Sequence, residues 1–121
     1  MIEFSKSVRK QIRQIRDQAY EAELGEALRG VESGFSEWRN GDLDCFELTD
    51  LIHEFHQGPN RELFKYYTSV KAHTAAARAI AFGVVRPEDV PPEILEALSD
   101  EIERCRRMDE VAAARTEKPG E

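Results

Sequence analysis

The chain has 121 residues, 34% of them charged, and a formal net charge of −7 at pH 7. A chain of this length forms one domain by the usual size relation and can fold without a metal or a disulfide. The acidic balance argues against binding to nucleic acid or to an anionic membrane, because both need a basic surface. The charge is uneven, however, since residues 1–16 contain five basic side chains and one acidic side chain. We interpret this asymmetry as electrostatic complementarity between elements or subunits.

The cysteines and the absence of apolar runs indicate the compartment. Cys45 and Cys105 form neither a CxxC pair nor a zinc-finger spacing, and we expect both to be free thiols at the edge of the core. No charged leader precedes an apolar run, and no run reaches the ~18 apolar residues of a membrane span. The sequence therefore predicts a cytoplasmic protein.

Two apolar stripes follow each other in the first 40 residues. The first begins after Ser5 and consists of Val8, Ile12, Ile15, Ala19 and Ala22. The second consists of Tyr20, Leu24, Ala27, Leu28, Val31, Phe35 and Trp38. At about 100° per residue the two stripes point about 150° apart around a common axis. One straight helix cannot bury both stripes against a single neighbour.

Two interpretations account for the displaced stripes. Either the helix breaks near Gly25, with a second helix running to Asn40 and stopping at Gly41, or it is continuous and each half packs against a different partner. Gly25, Gly30 and Gly34 each weaken a helix by about 1 kcal/mol relative to alanine. We therefore favour a kink or a break.

A capping box predicts where the next helix begins. Asp44 is followed three residues later by Glu47, and Leu43 and Leu48 flank the pair as a hydrophobic staple. A helix should therefore begin at about Cys45. Its apolar stripe consists of Leu48, Leu51, Ile52 and Phe55.

Gly58 and Pro59 predict the end of that helix. Gly58 suits the left-handed conformation that follows many helices, and Pro59 cannot continue a helix. We predict a turn over residues 57–60 and, directly after it, a second helix that either Gly58 or Asn60 can cap and that ends at Phe82 and Gly83. The two helices would form a central helical hairpin.

The last third of the chain contains a connector, which is followed by one or two more helices. Residues 84–92 include three prolines and should be extended or in short turns. Pro92 and Glu93 open a last helix, although Ser99 could begin a separate one. No stretch alternates as a strand does. The sequence thus predicts an all-α fold, a bundle of four to six helices around the central hairpin, with one domain over residues 1–112 and a flexible tail over residues 113–121.

His53 and His56 are three residues apart, so on a helix both could face one metal ion, with Asp50 or Glu62 as a third ligand. The spacing differs from the HExxH motif of zinc proteases. We interpret the two histidines as surface residues that hydrogen-bond to neighbouring carboxylates. We expect no metal, no cofactor and no catalytic residue.

The predicted turn offers a better-motivated ligand site. A helix that begins at Asn60 would present free backbone N–H groups, and Arg61 and His56 would add positive charge. The predicted ligand is a small anion, and the predicted binding residues are His53, His56, Asn60, Arg61 and Glu62. In the alternative, which we favour, Arg61 pairs with Asp50 or Glu54 and only locks the hairpin.

Two functions are compatible with these features. The first is a small helical interaction or regulatory module that acts through homo-oligomer or partner-protein contacts, and it is favoured by the charge asymmetry and the displaced stripes. The second is a small enzyme or an anion- or metal-binding sensor with its site at the central turn. We favour the first, a protein that is not an enzyme.

Overall fold

The structure, a computed structural model, describes residues 3–117. Within this range it contains six α-helices and no strand, which confirms the all-α prediction. The α-helices are α1 (Lys6–Arg39), α2 (Cys45–Phe55), α3 (Arg61–Ser69), α4 (Ala72–Ala81), α5 (Pro92–Ala97) and α6 (Ser99–Glu117). A π-helix at His56–Asn60 joins α2 to α3, and a short 3-10 helix lies at Pro87–Asp89. Among the described residues, no helix combines the length and hydropathy needed to cross a bilayer.

The chain divides into two compact units. Among the described residues, the core unit consists of residues 3–19 and 71–117, and the paired-helix unit consists of residues 20–70. Helix α1 contributes residues to both. The predicted single domain over residues 1–112 stays a prediction. Of the predicted tail, residues 113–117 are helical as the end of α6, and residues 118–121 lie outside the described residues.

Small side chains make α4 the centre of the core unit. Ala75, Ala76 and Ala77 are buried in succession, and Ala79 and Ile80 are buried after them. Because successive helical residues point about 100° apart, burial of three in a row requires neighbours around most of the helix. Those neighbours can come close because alanine adds little bulk to the backbone.

The rest of this core consists of branched side chains from the other elements of the unit. They are Val8, Ile12 and Ile15 from α1, Val85 and Val90 from the connector, and Ile94, Leu98 and Ile102 from α5 and α6. Each buried side chain of this kind contributes about 1.5–3 kcal/mol. The buried positions Val8, Ile12, Ile15 and Ala19 confirm the first predicted stripe, while Ala22 is exposed.

Helix α1 is continuous, so the predicted break near Gly25 is wrong. A Cβ atom at Gly25 or Gly30 would meet nothing within 4 Å, and glycine weakens a helix without forbidding it. The packing of each half on its own neighbours outweighs that cost. The alternative interpretation, a continuous helix whose halves pack against different partners, agrees with the division into two units.

The paired-helix unit is an antiparallel pair formed by residues 20–39 of α1 and the continuous helical stretch of residues 45–69. At one end the rings of Tyr20 and Tyr67 stack with centroids 4.8 Å apart, and the Tyr67 hydroxyl donates a hydrogen bond to Glu23. At the other end the Trp38 indole N–H donates to Cys45 Sγ over 3.4 Å. The turn between them contains Gly41 with φ +85°, the predicted stop of the first segment.

The predicted hairpin at Gly58 and Pro59 is wrong, because the backbone stays helical through residues 55–61. Proline lacks the N–H that an α-helix needs, and its ring clashes with the carbonyl four residues earlier. The wider π-turn accommodates Pro59 without ending the helix. Gly58 does not have the positive φ that the prediction required.

The chain leaves the helical conformation ten residues further on. Val70 (φ −79°, ψ 143°) and Lys71 (φ −60°, ψ 142°) are extended and separate α3 from α4. Neither is a glycine or a proline, so the sequence predicts no helix end there. By contrast, α4 ends where predicted, at Phe82 and Gly83, and the glycine has φ +77°.

The capping box at the start of α2 is confirmed in both directions. The Glu47 backbone N–H donates to Asp44 Oδ1 over 2.8 Å, and the Asp44 N–H donates to Glu47 Oε1 over 3.0 Å. Helix α2 begins at Cys45 as predicted, and Leu48 from its apolar stripe is buried.

Replacement of the cap should weaken the fold measurably. Asp44→Ala leaves the Glu47 N–H without its acceptor and should lower the free energy of unfolding by about 1 kcal/mol. Chemical denaturation followed by circular dichroism measures this. Asp42→Ala, which removes an exposed carboxylate from the same turn, is the matched control and should leave the midpoint unchanged. Equal midpoints for the two variants would contradict the capping role.

Gly34 permits the closest approach within the helix pair, and a matched substitution tests this. A Cβ atom there would lie 2.9 Å from Leu51 Cδ2 and 3.2 Å from Leu51 Cδ1. Gly34→Val should therefore destabilise the protein by about 1–3 kcal/mol through overpacking. Gly30→Val, at a position with open space, should be neutral or slightly stabilising. Similar midpoints for both variants in thermal unfolding would show that Gly34 is not a packing position.

Candidate functional site

The structure brings three of the five predicted ligand-binding residues together at the π-helix. His56, Asn60 and Arg61 line a cavity of about 360 Å³ with Gln57 and Phe64. His53 and Glu62 are exposed and do not line it. The cavity size falls within the range of small-molecule sites.

The polar groups of this cavity are only weakly tied to the rest of the protein. Asn60 Nδ2 lies 3.4 Å from His56 Nδ1, a long contact. Within the described residues Arg61 forms no ion pair, so it is paired with neither Asp50 nor Glu54. The favoured interpretation, that Arg61 locks a hairpin through such a pair, is therefore wrong. Arg61 is exposed and available to a ligand.

The continuous helix changes what this cavity can offer an anion. No helix begins at Asn60, and the Arg61 backbone N–H is used by the Gly58 carbonyl. The free N–H groups and the dipole end on which the prediction rested are absent. What remains is the side chains of Arg61, His56 and Asn60 on a π-helical turn, and such turns are frequent at functional sites.

The histidine pair does not build a metal centre. Across residues 3–117 no group of three or more His, Cys, Asp or Glu side chains is close enough to hold an ion. Cys45 is exposed and Cys105 is half-buried, and both are free thiols. Cys45 therefore lies further outside the core than predicted.

A second candidate site is an apolar surface on the paired-helix unit that the sequence analysis did not assign to function. Six large apolar side chains are exposed there: Leu28, Phe35, Trp38, Phe46, Ile52 and Phe64. In this unit only Gly34, Leu48 and Tyr67 are buried. The alternating spacing of four and three residues from Leu24 to Trp38 was the sequence signal for this surface, but spacing alone does not tell an inner stripe from an outer one.

The comparisons with known proteins add no family to this description. No protein-family model, no curated protein sequence and no solved structure matches the chain significantly.

Proposed function

We propose that this protein is a small helical interaction module that works as a homodimer, paired through the exposed apolar stripe of α1. The stripe consists of Leu24, Leu28, Val31, Phe35 and Trp38, and we call it the outer stripe. The observation that carries the proposal is its exposure: Leu28 is 46% exposed, Phe35 36% and Trp38 39%.

The outer stripe has the repeat of a helix-pairing seam. Its residues alternate at spacings of four and three, which is the a/d pattern of two heptads. Phe35 and Trp38 pack edge to face with centroids 6.4 Å apart, so the end of the stripe is already ordered. A pre-ordered aromatic anchor loses little conformational entropy on binding.

The neighbouring helix does not cover this stripe because it meets a different side of α1. Trp38, at the end of the stripe, donates a hydrogen bond to that helix at Cys45. The other residues that face it are Tyr20, Glu23 and Gly34, whose contacts are to Tyr67 and Leu51. At about 100° per residue these positions lie roughly 70° around the helix from the centre of the outer stripe. A two-helix unit therefore leaves this stripe only partly covered.

A second copy of the chain is the occupant that best suits the outer stripe. Two antiparallel helix pairs that join by one face form a four-helix bundle, and most soluble oligomers are symmetric dimers of one chain. Apolar contact must dominate, because residues 20–70 contain eleven acidic and four basic side chains and two copies repel each other. Free thiols at Cys45 and Cys105 support a cytoplasmic location.

The dimer can be tested with a matched pair of substitutions. Phe35→Gln removes an aromatic residue from the outer stripe of each copy and should weaken dimerisation at least about tenfold in sedimentation velocity. Leu28→Gln, whose side chain is more exposed in the monomer, should act in the same direction. Phe46→Gln is the control, because Phe46 is 81% exposed but lies outside the stripe. Higher salt should strengthen the wild-type dimer by screening the like charges.

Two results would contradict this proposal. One is a wild-type chain that remains monomeric throughout the micromolar range. The other is loss of the dimer in Phe46→Gln with Phe35→Gln and Leu28→Gln unaffected, which would place the contact on another face. Circular dichroism of each variant separates loss of dimer from loss of fold.

A sensor function at the π-helix is the second candidate, and one observation favours it. The π-helical turn coincides with the predicted residues His56, Asn60 and Arg61, and Arg61 has no ion-pair partner within the described residues. A small anion such as phosphate could accept hydrogen bonds from the guanidinium and from a protonated imidazole.

Phosphate binding at the π-helix can be measured by thermal unfolding. Phosphate should raise the melting temperature of the wild type and not that of Arg61→Ala. Lys65→Ala, which removes a positive charge one helical turn further along, is the control and should keep the shift. An equal shift in all three proteins would be a general salt effect and would remove the sensor function from consideration.

A further inference from the structure

We propose that the core unit contains a second, separate ligand site, a basic cavity that takes a small organic anion with an apolar body. The cavity has a volume of about 430 Å³ and is formed by the beginning of α1, the segment before it and the start of α4. Its charged residues are Arg9, Arg13 and Glu3, and its apolar residues are Phe4, Ile12 and Ala72. It involves neither the outer stripe nor the π-helix.

The two arginines form an anion clamp. Arg9 and Arg13 are four residues apart on α1, so their side chains lie next to each other on one face of the helix. Within the described residues neither guanidinium group forms an ion pair or a hydrogen bond. Two like charges at this spacing destabilise a helix slightly, and an anion between them would reverse that effect. Guanidinium groups bind carboxylate or phosphate oxygens in a bidentate manner.

The opposite side of the cavity contains an oriented histidine. His73 Nδ1 lies 2.5 Å from Glu101 Oε1, and the Thr74 hydroxyl donates to Glu101 Oε2 over 3.4 Å. Glu101 therefore fixes the His73 ring and leaves Nε2 as the ring nitrogen without a hydrogen bond among the described residues. An oriented imidazole next to two guanidinium groups adds a polar contact for one ligand orientation.

The apolar residues of the cavity determine that the other half of the ligand is apolar. Ile12 is only 2% exposed, and Ala72 and Phe4 are half-buried. The Phe4 ring lies 5.7 Å from the His73 ring at a tilt of 55°, which leaves an aromatic wall beside the arginines. A flat or branched apolar group could pack there while its anionic end faces Arg9 and Arg13. An inorganic anion would use only half of the cavity.

The charge distribution favours anion binding at this cavity over anion binding elsewhere on the surface. The chain is acidic overall, but residues 1–16 are basic, and the one acidic residue that lines the cavity, Glu3, balances only one of the two arginines. A negatively charged ligand is therefore repelled by the surface in general and attracted here.

Calorimetric titration with phenyl phosphate and benzoate tests the proposal. Both should bind more tightly than inorganic phosphate and benzyl alcohol, each of which carries only half of the recognised chemistry. Arg9→Gln and Arg13→Gln should each weaken binding about tenfold, the effect of one lost charge-assisted hydrogen bond. Lys10→Gln changes the net charge equally but does not line the cavity, and it should bind as the wild type does.

Other outcomes would overturn the proposal. Equal weakening in Lys10→Gln would indicate general electrostatic attraction, and loss of binding only in Arg61→Ala would place the anion at the π-helix. Binding of an acidic peptide but of neither aromatic anion would indicate a protein partner. Since Arg9 and Arg13 are exposed, circular dichroism should show both variants folded, so a lack of binding by every probe to the wild type counts against the site.

Discussion

Helix α1 imposes the main constraint on this protein, because one continuous helix of roughly 50 Å carries apolar side chains that face in different directions along its length. Its first half is buried in the core unit, at Val8, Ile12 and Ile15. Its second half packs on α2 and α3. No single neighbour could cover both halves, and the division of the chain into two units follows from that geometry.

Small residues decide how closely the helices pack, and thereby which apolar surface remains exposed. In the core unit Ala75, Ala76 and Ala77 allow neighbours to surround α4 and close the core. In the paired-helix unit Gly34 allows Leu51 to approach α1, but the unit has only two helical arms and no third element to cover the outer stripe. The proposed dimer would supply the missing layer with a second copy, whereas the basic cavity belongs to the unit whose core is already complete.

Local chemistry accounts for the predictions that the structure confirms. The capping box at Asp44 and Glu47 and the helix ends at Gly41 and Gly83 depend on hydrogen bonds and backbone preferences within a few residues, so the sequence is enough to find them. The same rules led to the wrong turn at Pro59. Proline excludes an ordinary α-helical turn but not a π-turn. The helix therefore continues past Pro59, and the contacts of Tyr67 stabilise the part that follows.

The sequence by itself therefore determined the all-α class, the start of α2, the ends of α1 and α4, and the buried face of residues 8–19. It also predicted that His56, Asn60 and Arg61 lie close together. Only the tertiary structure decided that α1 runs through Gly25, that the backbone stays helical at Pro59, and that Phe4, Arg9 and His73 share a cavity. The physical reason is the distance along the chain between the residues that interact. Caps and stripes depend on residues a few positions apart, whereas α1 and α4 bring together positions about sixty residues apart, and sequence spacing does not predict such contacts.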